Sequence, residues 1–355
     1  MEVIGKEINV LPGITIKYGK GGISTAFHFD NKEEEIDYQR SLEKLKATLY
    51  KQYDTIHEIK SEAIHHLTTK TLEGFKNLLL QSFIDHSELT KKITSKQTSY
   101  EQTATALSKL ERSIIKFLFK RKRIRLEEET SQLRQEISDL EKQIPYSIIS
   151  LDIDSEDTYH ELYKHVIKAF HLLTKSEKRW DVTSSQRTNM IADRTSAANN
   201  ITRTEIDIKL YALNLIKNID TPICFHNANG GDLYFYPGFL IVHESNNEFA
   251  IIDYTEIEIS FRLQRFIEEE SVPSDTTIVD QTWYKVNKDG TPDRRFSNNY
   301  QIPIVLYGEI HLTSSSGLNE KYSFSNPETA ELFAVAFNNY IDALKIAKNL
   351  LSEFQ

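Results

Sequence analysis

The chain has 355 residues, enough for two or three units that each bury a core of their own. Its formal net charge is −9, from 43 Lys and Arg against 52 Asp and Glu, which argues against a protein whose main task is to coat nucleic acid. No apolar run is long enough to span a bilayer, the chain start lacks the plan of a secretory signal, and Cys224 is the only cysteine. We therefore expect a cytoplasmic protein without an intramolecular disulfide, a thiolate metal site or a transmembrane segment.

A small β-meander is predicted for residues 1–31. Apolar and polar residues alternate on both sides of the glycine-rich stretch Tyr18–Gly22, and this spacing places Ile14 and Ile16 on one strand face. The run Gly19–Gly22 lacks the Gly-Lys-Ser/Thr ending that a phosphate loop needs at the start of a helix. We therefore interpret it as a tight turn between two strands.

Residues 32–145 are predicted to form a long helical, coiled-coil-like hairpin. The segment is rich in Glu, Lys, Leu and Gln, has a single glycine, Gly74, and has proline only at its last position. One straight helix of this length would extend roughly 170 Å, so a fold-back is expected. The Ser/Thr-rich stretch Thr94–Thr105 is the predicted hinge, between helices over Glu33–Ile93 and Thr103–Gln143.

Two apolar stripes are predicted on the second helix, Leu107, Leu110, Ile114 and Leu118 and then Leu133, Ile137, Leu140 and Ile144. A basic cluster lies between them. It comprises Lys116, Lys120, Arg121, Lys122, Arg123 and Arg125. One interpretation is contact with the phosphates of nucleic acid or with an anionic membrane surface. The other is a solvated helix face whose cations pair with glutamates one turn away, which coiled coils carry routinely. The stripes themselves predict self-association or a protein partner through the helical segment, because a lone hairpin leaves part of them uncovered.

Residues 146–229 are predicted to be a mixed helical connector. Residues 148–153 favour a short strand, 156–175 a helix with one apolar face, and 204–210 a strand, whereas 176–203 support no assignment. The histidines of this helix are spaced by five and six residues, which scatters them around its surface. A zinc site on that helix is therefore not expected.

Residues 230–355 predict a β domain. Ile257, Ile259, Phe261 and Leu263 alternate with polar residues, as in a half-buried strand, and similar runs follow and precede them. Two of these runs, Leu233–Tyr236 and Phe239–His243, lie on either side of the turn residues Pro237 and Gly238. The final helix is expected to follow a capping box formed by Ser325 and Glu328. Short antiparallel strands closed by one amphipathic helix are the plan of a pleckstrin-homology-like (PH-like) barrel, so the predicted fold class is α+β.

A polar loop lies between the predicted strands that flank residues 287–300. Its candidate ligand-binding residues, suited to a phosphate or carboxylate, are Lys288, Arg294, Arg295 and Asn298. The alternative is purely structural. In that interpretation Asp289 and Gly290 make a turn, Asp293 pairs with an arginine, and Trp283 and Phe296 fix the ends.

The sequence contains no recognisable catalytic constellation. It has neither a nucleophile paired with a base nor a His-Glu-x-x-His pattern. Cys224 and His226 would point to the same side of a strand, but no third orienting group is evident, so a buried structural cysteine is expected. No catalytic residue, metal ligand or cofactor is assigned.

Two stretches of the chain resemble an uncharacterised bacterial family. The first is the Pro-Gly, Lys-Gly and Ile-Ser-Thr pattern of the N-terminal module, and the second is the C-terminal region with GDLYFYP at 231–237 and TWYKVNKDGTPDRRF at 282–296. The resemblance implies no known activity. It does imply that the loop within 282–296 matters.

These observations predict a non-enzymatic interaction or assembly protein of the bacterial cytoplasm. The alternative is a nucleic-acid or anionic-surface binder that uses the basic cluster, and a third class is an enzyme whose site is assembled across modules. The neighbouring genes would distinguish the first two classes. A phage-defence or stress operon would favour the assembly protein, and an adjacent nuclease gene would favour the nucleic-acid or anionic-surface binder.

Overall fold

The protein is an α+β structure in which two large antiparallel sheets and four long helices account for most of the described residues. The computed structural model describes residues 6–11, 14–19, 22–27, 56–114, 116–150, 158–188, 190–193, 195–217 and 221–353. The predicted fold class is confirmed at this level.

The elements run as follows in chain order. The first strands are β1 Lys6–Leu11, β2 Ile14–Gly19, β3 Gly22–Phe27, β4 Ile56–Glu58, β5 Ile149–Ser150, β6 Arg179–Arg187, β7 Asn199–Glu205, β8 Ile208–Leu210 and β9 Ile216–Lys217. The later strands are β10 Ile223–Phe225, β11 Asp232–Tyr236, β12 Phe239–Ser245, β13 Glu248–Asp253, β14 Ile257–Ile267, β15 Thr277–Trp283, β16 Gln301–Ser314 and β17 Asn319–Phe324. The helices are α1 Glu73–Arg112, α2 Lys120–Glu141, α3 Thr158–Leu173, α4 Met190–Asp193 and α5 Pro327–Glu353.

The strands before residue 30 confirm the predicted meander. β1, β2 and β3 form an antiparallel three-stranded sheet in sequence order. The predicted helix start at Glu33 lies outside the described residues, and so do residues 28–55 as a whole.

Two sheets carry the rest of the β structure. The five-stranded sheet has the order β13-β12-β11-β10-β8, and the seven-stranded sheet has the order β14-β16-β17-β6-β4, with β15 added on β16 and β7 on β6. β5 and β9 form a separate parallel pair. Apart from this pair, the described strands form antiparallel sheets, and no hydrogen-bonded ladder among them closes the predicted barrel.

The five-stranded sheet is covered on both faces, which explains its continuous apolar runs. Phe225, Leu233 and Phe235 belong to a core shared with α3 and α5. Their neighbours Cys224 and Tyr234 face the opposite way, into a second core that includes Leu79 and Phe83 of α1.

The C-terminal helix is placed by a close approach to β16. A Cβ atom added at Gly308 would lie 2.7 Å from the Cβ of Ala330, so only glycine allows this helix to pack so closely. The helix begins at a cap that differs from the predicted one. Asn326, not Ser325, accepts hydrogen bonds from the amides of Glu328 and Thr329 at 3.1 and 3.2 Å, while Ser325 Oγ accepts from an amide in the turn before β6.

The predicted hinge at Thr94–Thr105 is wrong, because that stretch lies inside α1. The hydroxyls of Thr94, Thr98 and Ser99 donate to the carbonyls four residues earlier at 2.9, 3.0 and 3.1 Å. These residues therefore satisfy their own hydroxyl groups without leaving the helix. The chain reverses instead between α1 and α2, within residues 113–119.

The predicted boundaries at 145 and 229 separate strands that pair with one another. β4, from the segment expected to be helical, pairs with β6, and β10 pairs with β11 across residue 229. Residues 146–229, expected to be a mixed helical connector, thus supply strands to both large sheets.

Candidate functional site

A two-helix arm leaves the β core and carries the most unusual surface of the protein. Ser82 Oγ donates to the carbonyl of Ser147 at 2.6 Å, and His86 Nδ1 lies 2.9 Å from Ser147 Oγ, so these contacts mark the base of the arm. Between residues 84 and 146 none of the described side chains is fully buried. From His86 to Arg112 the arm extends roughly 40 Å at the helical rise.

The two helices of the arm contact each other through half-buried and polar side chains. Lys96 Nζ is 2.8 Å from Glu136 Oε2, and Arg134 Nη2 donates to the hydroxyl of Tyr100 at 3.1 Å. Leu107, predicted on an apolar stripe, is half-buried. The contact between α1 and α2, called the seam below, therefore contributes little stability, since partly exposed apolar pairs contribute less than a closed core.

The reversal of the chain forms the tip of the arm, defined as residues 114–125. Its large apolar side chains point to solvent. Ile114 is 93% exposed, Phe117 72% and Leu118 69%, and Phe119 and Ile124 are also exposed. A short turn cannot fold such side chains under itself, and no other described element covers them. Five of the large apolar side chains that the described residues expose therefore lie within residues 114–125.

The basic cluster lies on the same tip. Lys116 belongs to a 3₁₀ turn, Lys116–Phe119, and its side chain is outside the described set. The other members are Lys120, Arg121, Lys122, Arg123 and Arg125. Of these described cations, Arg123 alone forms an ion pair, with Glu127 at 3.5 Å. The glutamates one turn away therefore pair with one cation and leave the others facing solvent.

We expect the half-exposed seam between α1 and α2 to favour self-association, which remains a prediction. Sedimentation velocity at micromolar concentration should show a species larger than a monomer, since half-covered apolar stripes gain from a further helix. A compact monomer with no helical partner on purification would contradict this expectation.

The polar loop at 287–300 is held by its own side chains. Asp293 is only 2% exposed, and it accepts from Arg295 Nε at 2.9 Å and from Arg295 Nη2 at 2.7 Å. Asp289 accepts from the amide and hydroxyl of Thr291, which holds the pKa of its carboxyl below the usual range, and Gly290 has φ of +83°. These contacts are the predicted turn and the predicted acid–arginine pair.

The remaining candidate ligand residues of the loop are exposed. Lys288, Arg294 and Asn298 lie at the surface of the loop, whereas Arg295 is committed to Asp293. A groove of about 1270 Å³ borders the base of the loop at Lys285, but its lining includes none of the four predicted residues. A role for the loop in anion binding stays a prediction.

That groove contains an arginine that sequence reasoning missed. The guanidinium of Arg203 lies 4.0 Å from the ring centre of Trp180 and 4.2 Å from that of Phe266. Arg203 Nη2 is 2.7 Å from Glu268 Oε2, which also accepts from the hydroxyl of Tyr307 at 2.5 Å. Glu268 is 2% exposed and takes its counter-charge from Arg203, so this part of the groove is built around a structural ion pair, in which Arg203 Nη1 has no hydrogen-bond partner.

The structure supplies the third group that the sequence did not reveal beside Cys224. Asp232 Oδ2 lies 3.0 Å from His226 Nδ1, and the ligand atoms of the three residues lie within 4.8 Å of one another. The arrangement is poor for thiolate chemistry, since burial raises the pKa of Cys224 to about 12. Asp232 Oδ1 also accepts a hydrogen bond from the amide of Asn227, so this carboxylate holds the loop after β10 against the start of β11.

Comparison with known proteins gives no further assignment. No family model, no curated protein and no solved structure matches this chain. The resemblance to an uncharacterised bacterial family therefore stays a prediction. None of the helices in the described part of the chain has the length and apolar character of a membrane span.

Proposed function

We propose that this chain is an interaction protein whose arm docks its tip onto an anionic phospholipid surface. One observation carries the proposal, the coincidence of exposed apolar side chains and cations within residues 114–125. Interfacial anchors combine the same two features, because apolar groups enter the acyl boundary while cations stay among the anionic headgroups. The exposed apolar side chains alone would fit a protein partner equally well, and the cations alone would fit nucleic acid.

The apolar half of the tip favours a lipid surface over nucleic acid. Cations suffice for phosphate contacts on a duplex, where exposed aliphatic side chains such as Ile114 and Leu118 gain nothing. On a lipid surface the same side chains leave water. The net charge of −9 for the whole chain means that an anionic surface repels the rest of the protein, which favours approach by the tip.

A second candidate function is assembly through the side of the arm. It is favoured by the absence of any fully buried side chain among the described residues between 84 and 146. A helix laid along the seam would cover stripes that the hairpin leaves half open. In this second proposal the two sheets and α5 form a PH-like domain. The loop at 287–300 of that domain would bind a ligand or a protein partner.

The lipid proposal is tested by co-sedimentation of the full chain with vesicles. Phosphatidylcholine vesicles containing phosphatidylserine should bind the protein, and phosphatidylcholine alone should bind much less. The double variant Arg121→Glu/Lys122→Glu should weaken binding by roughly 30-fold or more, since each cation near the surface contributes about 1 kcal/mol. The variant Phe117→Ser/Leu118→Ser should lose the part of the binding that survives high salt.

The matched control is Lys91→Glu/Lys92→Glu, which makes the same change in net charge on exposed residues of α1 away from the tip. It should bind like the wild type. Equal loss in both charge variants would show a non-specific charge effect and would contradict the proposal. Binding to single-stranded or duplex nucleic acid but not to vesicles would also overturn it.

A further inference from the structure

Five acidic side chains are fully buried in the described part of the chain, and most are paired with an arginine. The pairs are Glu268 with Arg203, Asp293 with Arg295, and Glu309 with Arg262. The remaining two, Asp181 and Glu320, form no ion pair with any described residue. They are 0% and 1% exposed, so solvent does not compensate them either. Buried carboxylates without a counter-charge are costly and call for an explanation.

The two carboxylates lie side by side on one sheet. Asp181 of β6 is the cross-strand partner of Tyr322 in β17, and Glu320 precedes Tyr322 by two residues, on the same face. The 226–231 segment covers this spot. Asp181 Oδ2 accepts from the amide of Ala228 at 2.8 Å, and a Cβ atom added at Gly230 would lie 3.7 Å from Glu320 Oε1.

Each carboxylate uses one oxygen and leaves the other without a partner. Glu320 Oε1 accepts from Ser61 Oγ at 2.5 Å, as Asp181 Oδ2 accepts from Ala228. The buried polar atoms at this spot and in its covering segment that lack a hydrogen-bond partner are Asp181 Oδ1, Glu320 Oε2, the Tyr322 hydroxyl, Asn229 Oδ1 and Asn227 Nδ2. Four of the five are oxygens, and native proteins rarely leave even one such atom unsatisfied.

The oxygen of Asn229 is fixed by its own contact. Its Nδ2 donates to the carbonyl of Ile59 at 2.9 Å, so the unpartnered atom of this amide is the oxygen. Burial and the neighbouring Asp181 raise the pKa of Glu320 to about 7, and burial raises the pKa of Asp181. The site is short of positive charge because no Lys, Arg or His among the described residues forms an ion pair with either of these two buried carboxylates.

We propose that Asp181 and Glu320 bind a divalent cation of the Ca²⁺ or Mg²⁺ class. Carboxylate, amide and hydroxyl oxygens are the ligands that hard cations prefer, and Asn229 Oδ1 and the Tyr322 hydroxyl add to the two carboxylates, with water in the remaining positions. The cation neutralises the carboxylates and gives the unpartnered oxygens a common partner. Because the ligands come from β6, β17 and the 226–231 segment, its binding ties three separate parts of the core together.

An acidic groove leads to the site. Glu320 lines a groove of about 540 Å³ whose lining also includes Glu58, Glu62, Glu244 and Glu248 and, as basic residues, Lys60 and His65, so acidic side chains are in excess. Carboxylates around an opening raise the local concentration of cations. The groove therefore gives a cation an approach from solvent to Glu320.

The test uses the full chain, stripped with a chelator and titrated with Ca²⁺ or Mg²⁺ by calorimetry and by thermal unfolding. We expect saturable binding and a melting temperature that rises with cation concentration. Glu320→Gln and Asp181→Asn should remove both effects. Glu309→Gln is the matched control, because Glu309 is equally buried and lies on the neighbouring strand β16 but already pairs with Arg262. It should keep the cation response.

A second measurement tests the proposal even if Glu320→Gln or Asp181→Asn does not fold, because it uses the wild-type chain. Tb³⁺ bound to the wild-type chain should luminesce when tyrosine is excited, through Tyr322, and Ca²⁺ should displace it. Tyr322→Phe should reduce that signal while leaving the fold in place, since it deletes only the unpartnered hydroxyl. Absence of binding heat and of a Tb³⁺ signal in the wild type would overturn the proposal, as would a cation response that survives in Glu320→Gln.

Discussion

Arg203→Met is expected to destabilise the protein by about 3–5 kcal/mol, because it leaves the charge of a buried carboxylate without a partner. Glu268 is 2% exposed, and Arg203 provides its cation at 2.7 Å. Methionine retains much of the contact with Trp180 and Phe266 but cannot pair with the carboxylate. Chemical denaturation followed by far-ultraviolet circular dichroism should show a lower midpoint.

The double variant Arg203→Met/Glu268→Gln separates the lost charge pair from lost packing. It should be more stable than Arg203→Met alone, since a neutral amide needs no counter-ion and still accepts from the hydroxyl of Tyr307. Arg265→Met is the control, because Arg265 and Asp280 form an ion pair in which both side chains are 59% exposed. An Arg203→Met midpoint equal to that of the control would rule out a structural ion pair.

The sequence predicts the strands correctly where a regular alternation of apolar and polar residues or a clear turn signal marks them. The alternation from Ile257 to Leu263 identified β14, and the turn residues around Pro237 and Gly238 separated β11 from β12. Residues 176–203 gave no such signal. The first half of β6 is buried on both faces, at Trp180, Asp181 and Val182, so its polar and apolar residues follow no period.

The tip of the arm shows how composition can mislead. Ser/Thr-rich residues favoured a hinge at Thr94–Thr105, but hydroxyls that bond to the preceding turn are compatible with a helix. The actual reversal lies in residues 113–119, where the sequence carries no glycine or proline and the only departure from strong helix formers is the presence of serine, isoleucine and phenylalanine. The spacing of apolar residues places Ile114 and Leu118 on a stripe of the second predicted helix, but both side chains are exposed because the helix is interrupted there.

The candidate cation site was partly readable from the sequence. Period-two spacing places Glu320 on the same face as Tyr322 and Phe324, two residues that are fully buried. A carboxylate on that face is a signal of a buried charge. Its partner Asp181 could not be assigned, because only the pairing of β6 with β17 brings the two together.

Asp293→Ala is expected to lower the stability of the protein by about 2–3 kcal/mol, since a buried carboxylate that accepts charge-assisted hydrogen bonds is lost. Asp293 also accepts from the amide of Arg295 at 3.1 Å, so the turn loses its internal anchor. Arg295→Ala should lower the melting temperature in the same direction, because it removes the side chain that neutralises Asp293. Arg294→Ala should leave the melting temperature unchanged, since this side chain lies exposed on the loop. Thermal unfolding of the three variants decides the role of the loop. If Arg295→Ala melts like the wild type, the pair with Asp293 does not hold the loop, and both arginines return as candidates for binding an anion.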